Sequence, residues 1–302
     1  MICLLWRQHR GQALWTALVL ATLCVLTLGV ERSANHWLTG YQQWVKALAD
    51  AGCPPPDAHS GVFHVRSAAT CNALRGLYPG ALQPAFVSRY NFAILVFEDG
   101  IPAALAIVGI LVGAPLVARE VEQRTQLVSW TQSVSRRRWY VMKVTILAAV
   151  LALVGLASGI ANDRLHRPLV AGGLISSRWV WFFSINLALV GEIVLAFAIA
   201  VALGAWLRRT LPAAGAALAS FIVLSVASGW AVETFTPTRD TAGPSFGVPS
   251  GGWIIQSSDL HSVPYHPASQ YWPLQLAFLV MLLVLAAAAL AMGWQATRTR
   301  AV

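Results

Sequence analysis

The chain has 302 residues, of which 57% are apolar and only 11% charged, and its mean hydropathy is +0.62. A soluble domain of this size carries roughly a quarter charged residues, so the composition excludes one and points to a chain solvated mostly by lipid. The net charge of +9 is not the mark of a nucleic-acid binder, because the basic residues stand at the ends of apolar runs instead of sharing one polar face.

Six runs are long enough to cross a hydrocarbon core, which takes about 20 helical residues. They are Gly11–Val30, Ile101–Ala118 (from Phe92 at the earliest), Val144–Ala161, Val180–Leu207, Pro212–Val232 and Pro273–Trp294. Trp and Tyr gather at their borders, where amphipathic rings favour the headgroup zone. With the N-terminus inside, the inner segments hold twelve of the 21 Lys and Arg but only Glu120 and Glu122 among the acids. The expectation is an all-α polytopic membrane protein: one permease-like domain over residues 1–302, six transmembrane helices and both termini cytoplasmic. Two larger extracytoplasmic segments, 31–91 and 233–270, complete it.

Residues 1–10 read either as a short amphipathic lead-in or as a disordered basic tail. The run at 11–30 exceeds the roughly 7–15 apolar residues of a signal peptide and has no convincing cleavage site after it, so it is read as a retained span. In the first outer segment Trp37, Tyr41, Trp44, Val45 and Leu48 repeat at helical spacing. Gly52 stops that helix, and a second short helix follows Ser67 and ends at Pro79-Gly80. Cys53 and Cys71 lie on the oxidising side, where they form a disulfide or remain two free thiols; a bridge would add roughly 3 kcal/mol. Cys3 and Cys24 are expected to be unpaired. Glu98-Asp99 is read as facing outer water ahead of span 2; the alternative lines a polar cavity in the outer leaflet.

The cytoplasmic segment 119–143 is the distinctive stretch. It follows GAPLVARE (Gly113–Glu120), carries Leu127 and Trp130 among polar residues, and closes on Arg136, Arg137, Arg138 and Lys143. A positive-inside turn needs only a few residues, as at Arg208-Arg209. The extra length, the apolar stripe and the Glu120/Arg124 pair at i,i+4 favour a helix that docks a partner. Further along, 162–177 reads as a short outer turn, 233–270 as mostly irregular, and Pro273 as the start of span 6.

Glu192 is the one ionisable residue deep in a run. An intramembrane charge costs about 2.5–3.5 kcal/mol at the centre of a helix, which the apolar residues around it offset. Glu192 is then either a substrate- or proton-contacting acid on a translocation path or an interhelical hydrogen-bonding group. Gly243–Gly247 (GPSFG) matches the G-x-S-x-G elbow around Ser245, with Asp259, His261 and His266 nearby. That elbow works only on a strand–turn–helix of a folded α/β core, so the match is attributed to chance. The histidines and cysteines have no metal-ligand spacing, and no G-x-x-x-x-G-K-[ST] is present. If the chain moves something with ATP, another subunit supplies the engine.

Several stretches resemble the membrane subunits of type-2 ATP-binding-cassette (ABC) transporters, especially the actinobacterial exporter kind. They are GAPLVARE with TQLVSWTQSVSRRRW (Thr125–Trp139) and Lys143, and more weakly LGAWLRRTLPA (Leu203–Ala213) and HPASQYWPLQ (His266–Gln275). The resemblance implies a non-catalytic permease for export or efflux across the bacterial cytoplasmic membrane. It implies a homodimer of such chains with two cytosolic ABC ATPase subunits, which hold ATP and Mg while this chain holds no cofactor and no metal. Glu120, Arg124, Thr125, Leu127 and Trp130 would then lie in or beside the coupling helix, with Arg136, Arg137, Arg138 and Lys143 anchoring it. In similar sequences a Gly usually precedes the residue matched by Thr125, whereas Arg124 stands here. Two other classes are weighed: a proton-coupled secondary transporter using Glu192, and a membrane-embedded hydrolase using Ser245. Neither accounts for the long inner segment.

Overall fold

The computed structural model describes residues 46–53, 68–77, 100–122, 135–171, 182–242, 253–254 and 262–299, together with scattered helical positions between 22 and 44. The expected first span therefore falls largely outside the described residues. The chain divides into two compact units, residues 1–97 with 164–176, and residues 98–163 with 177–302.

The first unit holds helix α1 (Ala68–Leu77) and a helical stretch ending at Asp50. A Cys53–Cys71 disulfide joins them across a separation of 18 residues. Its sulfurs pack with Leu48, which is 1% exposed, and with Trp44 and Ala51. Gly52 takes a positive φ of 72° and turns the chain out of the helix, so that the Cys53 N–H reaches back to the Leu48 carbonyl at 2.8 Å. The covalent bond limits the freedom of the unfolded chain between the two cysteines.

The second unit is built on helices α2 (Ile101–Glu122), α3 (Arg136–Ala171, of which the residues from Arg164 on belong to the first unit), α4 (Leu187–Leu207), α5 (Thr210–Phe235) and α6 (Tyr271–Thr299). All five contain stretches long and apolar enough to cross a membrane. They overlap the second to sixth spans expected from sequence, with bounds that differ at one or both ends. The third helix runs on to Ala171, where a short turn was expected. The fourth begins at Leu187, not Val180, because Phe182–Asn186 forms a turn.

Helix α4 is the centre of this unit: 78% of its span is buried, against 17–56% for the other four. Apart from Glu192 its sequence is apolar on every side, which is the signature of a helix surrounded by other helices. Small residues let its neighbours come close. A Cβ added at Gly113 of α2 would lie 2.6 Å from the Phe197 carbonyl oxygen, and one at Gly204 of α4 would lie 2.6 Å from that of Ala114. Only hydrogen fits in those places, so the two backbones are in direct contact. Large apolar side chains point outward from α3 and α5, among them Leu153, Val223 and Val226, each more than 60% exposed. In water such faces would be unstable; in lipid they are ordinary.

Between α5 and α6 lies a three-stranded antiparallel sheet, β1 (Arg239–Ala242), β2 (Trp253–Ile254) and β3 (Ser262–His266), with β3 in the middle. Arg239 pairs with Tyr265 and Ala242 with Ser262, while Trp253 pairs with His266. The segment 233–270, expected to be mostly irregular, thus includes a small β element in an otherwise all-α protein. The strands are very short, and Pro264 sits in the central one, where a proline normally argues against a strand.

Candidate coupling site

At one end of the second unit, α2 finishes beside the start of α5. Glu122, the last residue of α2, accepts two hydrogen bonds from Thr210, the first residue of α5: from its N–H at 3.1 Å and from its hydroxyl at 3.1 Å. A helix opens with N–H groups that have no intrahelical partner and with the positive end of its dipole, and a carboxylate satisfies both. The chain reverses between α4 and α5 in two residues. Arg208 adopts left-handed φ/ψ of 55°/16° and donates its N–H to Gly204 at 3.1 Å, and Arg209 is extended. The end of α2 is thereby bound to the turn that follows the most buried helix.

The same end gathers the basic residues. Arg137 and Arg138 are exposed on the first turn of α3, and Lys143 lies 4.7 Å over the Trp139 ring. Ser135 opens that helix, its Oγ accepting the Arg138 N–H at 3.4 Å. Tyr140 crosses from α3 to α6, donating its hydroxyl to the Leu290 carbonyl at 3.0 Å, with its ring 5.6 Å from that of Trp294.

Of the residues expected to couple to a partner, Glu120 lies in the last turn of α2, and Arg124, Thr125, Leu127 and Trp130 lie outside the described residues. Arg136 begins α3. Glu192 is partly buried in α4 but stands only six residues into it, not at mid-span. The later start of the helix moves it toward one end, and no hydrogen bond to it forms among the described residues. Ser245, Asp259 and His261 lie outside the described residues. His266 is fully buried at the end of β3, one ring nitrogen 3.0 Å from Thr236 Oγ1 and the other 3.2 Å from Gln270 Oε1. It ties the end of α5 to the start of α6.

At the opposite end of the same helices lies a polar cluster that the sequence reading did not single out. Asn162 of α3 donates to the Ser184 carbonyl at 2.6 Å, Asn186 to the Tyr271 hydroxyl at 3.1 Å, and Gln275 to the Phe182 carbonyl at 2.6 Å. The available signal was two Asn and a Gln inside or bordering apolar runs, where an amide must find partners.

A family profile described as ABC-2 membrane transporter related matches residues 57–232, more than half of the chain. The chain belongs to that family. The match takes in α1 and the four helices α2 to α5, and so includes both partners of the Glu122–Thr210 contact. No curated relative and no solved structure matches the sequence. As an ABC-2-related protein the chain is a multi-pass membrane protein of a family whose transmembrane components are typically non-catalytic, and membership generally implies an ATPase partner. Two stretches that carry the sequence resemblance meet in space: Ala114 of GAPLVARE touches Gly204 of LGAWLRRTLPA.

Proposed function

We propose that this chain is the transmembrane subunit of an ATP-driven ABC exporter, and that the segment 119–143 is where a cytosolic ATPase subunit docks. Two copies of the chain enclose the path and two ATPase subunits bind beneath them. ATP and Mg are held by the ATPase, and this chain contributes no catalytic group. The assembly sits in a bacterial cytoplasmic membrane with both termini inside.

One observation carries the coupling role: the double hydrogen bond from Thr210 to Glu122. Glu122 is three residues from the start of the docking segment, so a displacement applied there is delivered to Thr210. The two-residue turn at Arg208-Arg209 then passes it to α4. Because α4 is packed by neighbours along most of its length, it cannot move without repacking them, which is what a switch between two discrete states requires. Nucleotide drives the switch only through its differential affinity for those states. Glu192, toward the other end of α4, is the acid we assign to the substrate path.

The test is purification from native membrane in mild detergent. A soluble subunit with ATPase activity should accompany the chain and be lost when Glu120 and Trp130 are substituted together. A chain that arrives alone, folds, and transports on a proton gradient without ATP would overturn this reading in favour of a secondary transporter using Glu192.

A further inference from the structure

Between the first turns of α3 and the last turns of α6 lies a groove of about 670 Å³. Arg137 and Arg298 line it, one from each helix, together with Tyr140, Val144, Leu290 and Trp294. The two arginines stand at the ends of the apolar stretches Arg137–Arg164 and Ala268–Thr299. Val144 and Leu290 lie seven or eight residues further in, about 10 Å deeper at 1.5 Å per residue. The groove therefore runs from a cationic end at the membrane boundary to an apolar end among the hydrocarbon chains.

We propose that this groove binds one anionic phospholipid, its phosphate between Arg137 and Arg298 and an acyl chain along Val144 and Leu290. The charge arrangement asks for an anion. Arg137 stands on the first turn of α3, where the helix dipole is already positive, and Arg298 lines the same groove from α6. Neither Arg137 nor Arg298 forms an ion pair among the described residues. Arg298 lies 5.9 Å from the Trp294 ring, and that ring is in contact with Tyr140, whose hydroxyl is committed to Leu290. The aromatic wall and one cation are therefore positioned before any ligand arrives. A free phosphate would use the arginines but gain nothing from Val144 and Leu290. A lipid uses both, in the combination by which basic pockets between spans hold anionic headgroups.

The experiment is native mass spectrometry of the full chain in mild detergent, titrated with dioleoylphosphatidylglycerol or dioleoylphosphatidylcholine. One phosphatidylglycerol should be retained in preference to phosphatidylcholine. Substituting Arg137→Gln and Arg298→Gln together should weaken phosphatidylglycerol binding about 30-fold and leave phosphatidylcholine unchanged. Arg138→Gln, exposed on the same turn but outside the groove, should leave it within about two-fold. Both positions are exposed, and the melting temperature in phosphatidylcholine checks that the double variant folds. The pair Arg137→Lys and Arg298→Lys should keep the preference; its loss there would overturn the proposal. So would equal retention of the two lipids, or a glutamine pair that binds phosphatidylglycerol like the parent. Displacement of the lipid by millimolar inorganic phosphate would show an anion site without a lipid role, and would overturn it as well.

Discussion

Gln275 of α6 holds the first turn of α4 through Ala188: its side-chain oxygen accepts the Ala188 N–H at 3.1 Å across 87 residues of sequence. The same amide donates to the Phe182 carbonyl at 2.6 Å, and Gln275 is fully buried. One side chain thus satisfies a helix-opening donor and a turn acceptor where water has no access. Asn186, which begins α4 at a φ of 54°, is held beside it by its N–H to the Gly159 carbonyl at 3.1 Å.

Replacing Gln275 by Leu removes the acceptor of the Ala188 N–H and a donor to the Phe182 carbonyl. A buried unsatisfied group costs about 1–3 kcal/mol, so Gln275→Leu should destabilise the protein by about 2–4 kcal/mol. Gln275→Glu keeps the acceptor and loses the donor, and should fall between Leu and the parent. Thermal unfolding in detergent orders the three, and a Leu variant as stable as the parent would remove the cluster from the account.

The α2–α4 contact predicts a contrast between glycines. Gly113→Ala places a methyl group 2.6 Å from the Phe197 carbonyl oxygen, whereas a Cβ at Gly215 of α5 meets nothing within 4 Å. Overpacking of this kind costs about 1–3 kcal/mol; Gly215→Ala should be neutral or slightly stabilising, since alanine is the better helix former. Denaturant titration of the two variants separates them. Equal stabilities would mean that the close approach of α2 and α4 does not contribute.

Reduction should act on the first unit. Cys53 and Cys71 should resist alkylation until a reductant is added, and then take up two labels. Cys53→Ser with Cys71→Ser should cost that unit roughly 3 kcal/mol, read by thermal unfolding in detergent. Immediate labelling of both thiols in the native protein would show that the bond is not formed.

Removing the contact between α2 and α5 should uncouple without dismantling. Glu122→Gln keeps an acceptor but loses the charge, and Thr210→Val loses the hydroxyl. Each should lower stability by about 0.5–2 kcal/mol, the usual worth of a helix cap. Transport per ATP hydrolysed should fall more than ATPase activity itself. If the two rates drop in parallel, Glu122 is only a structural cap.

Glu192→Gln is close to isosteric and removes the charge from α4. On the proposed path it should alter transport by tenfold or more, or about 1.4 kcal/mol, while the chain still assembles with its ATPase. Unchanged transport would relegate Glu192 to a helix-packing role.

Much of this architecture is local and therefore legible in the chain. A span is recognisable because lipid demands some 20 apolar residues in a row and tolerates charge only at the ends, and spans two to six of the reading all appear as helices. Their boundaries were less legible. Nothing in the sequence required the break at Asn186 ahead of α4, because the bonds that hold it come from Gly159, Tyr271 and Gln275 on two other helices. The sheet was hidden for a similar reason: β3 contains Pro264, and its strands are stabilised by partners up to 26 residues away. Composition and order alone determined that the chain is a polytopic membrane protein, with basic residues at alternate ends of its spans and an unusually long polar segment after the second. The tertiary structure alone decided that α4 is the central helix, that Glu122 ends against Thr210, and that Arg137 and Arg298 face one groove. Hydrophobicity and charge are properties of a residue and its near neighbours, whereas hydrogen bonding across helices and backbone contact at a glycine depend on which surfaces meet. One apolar run, read by itself, fits many neighbours equally well.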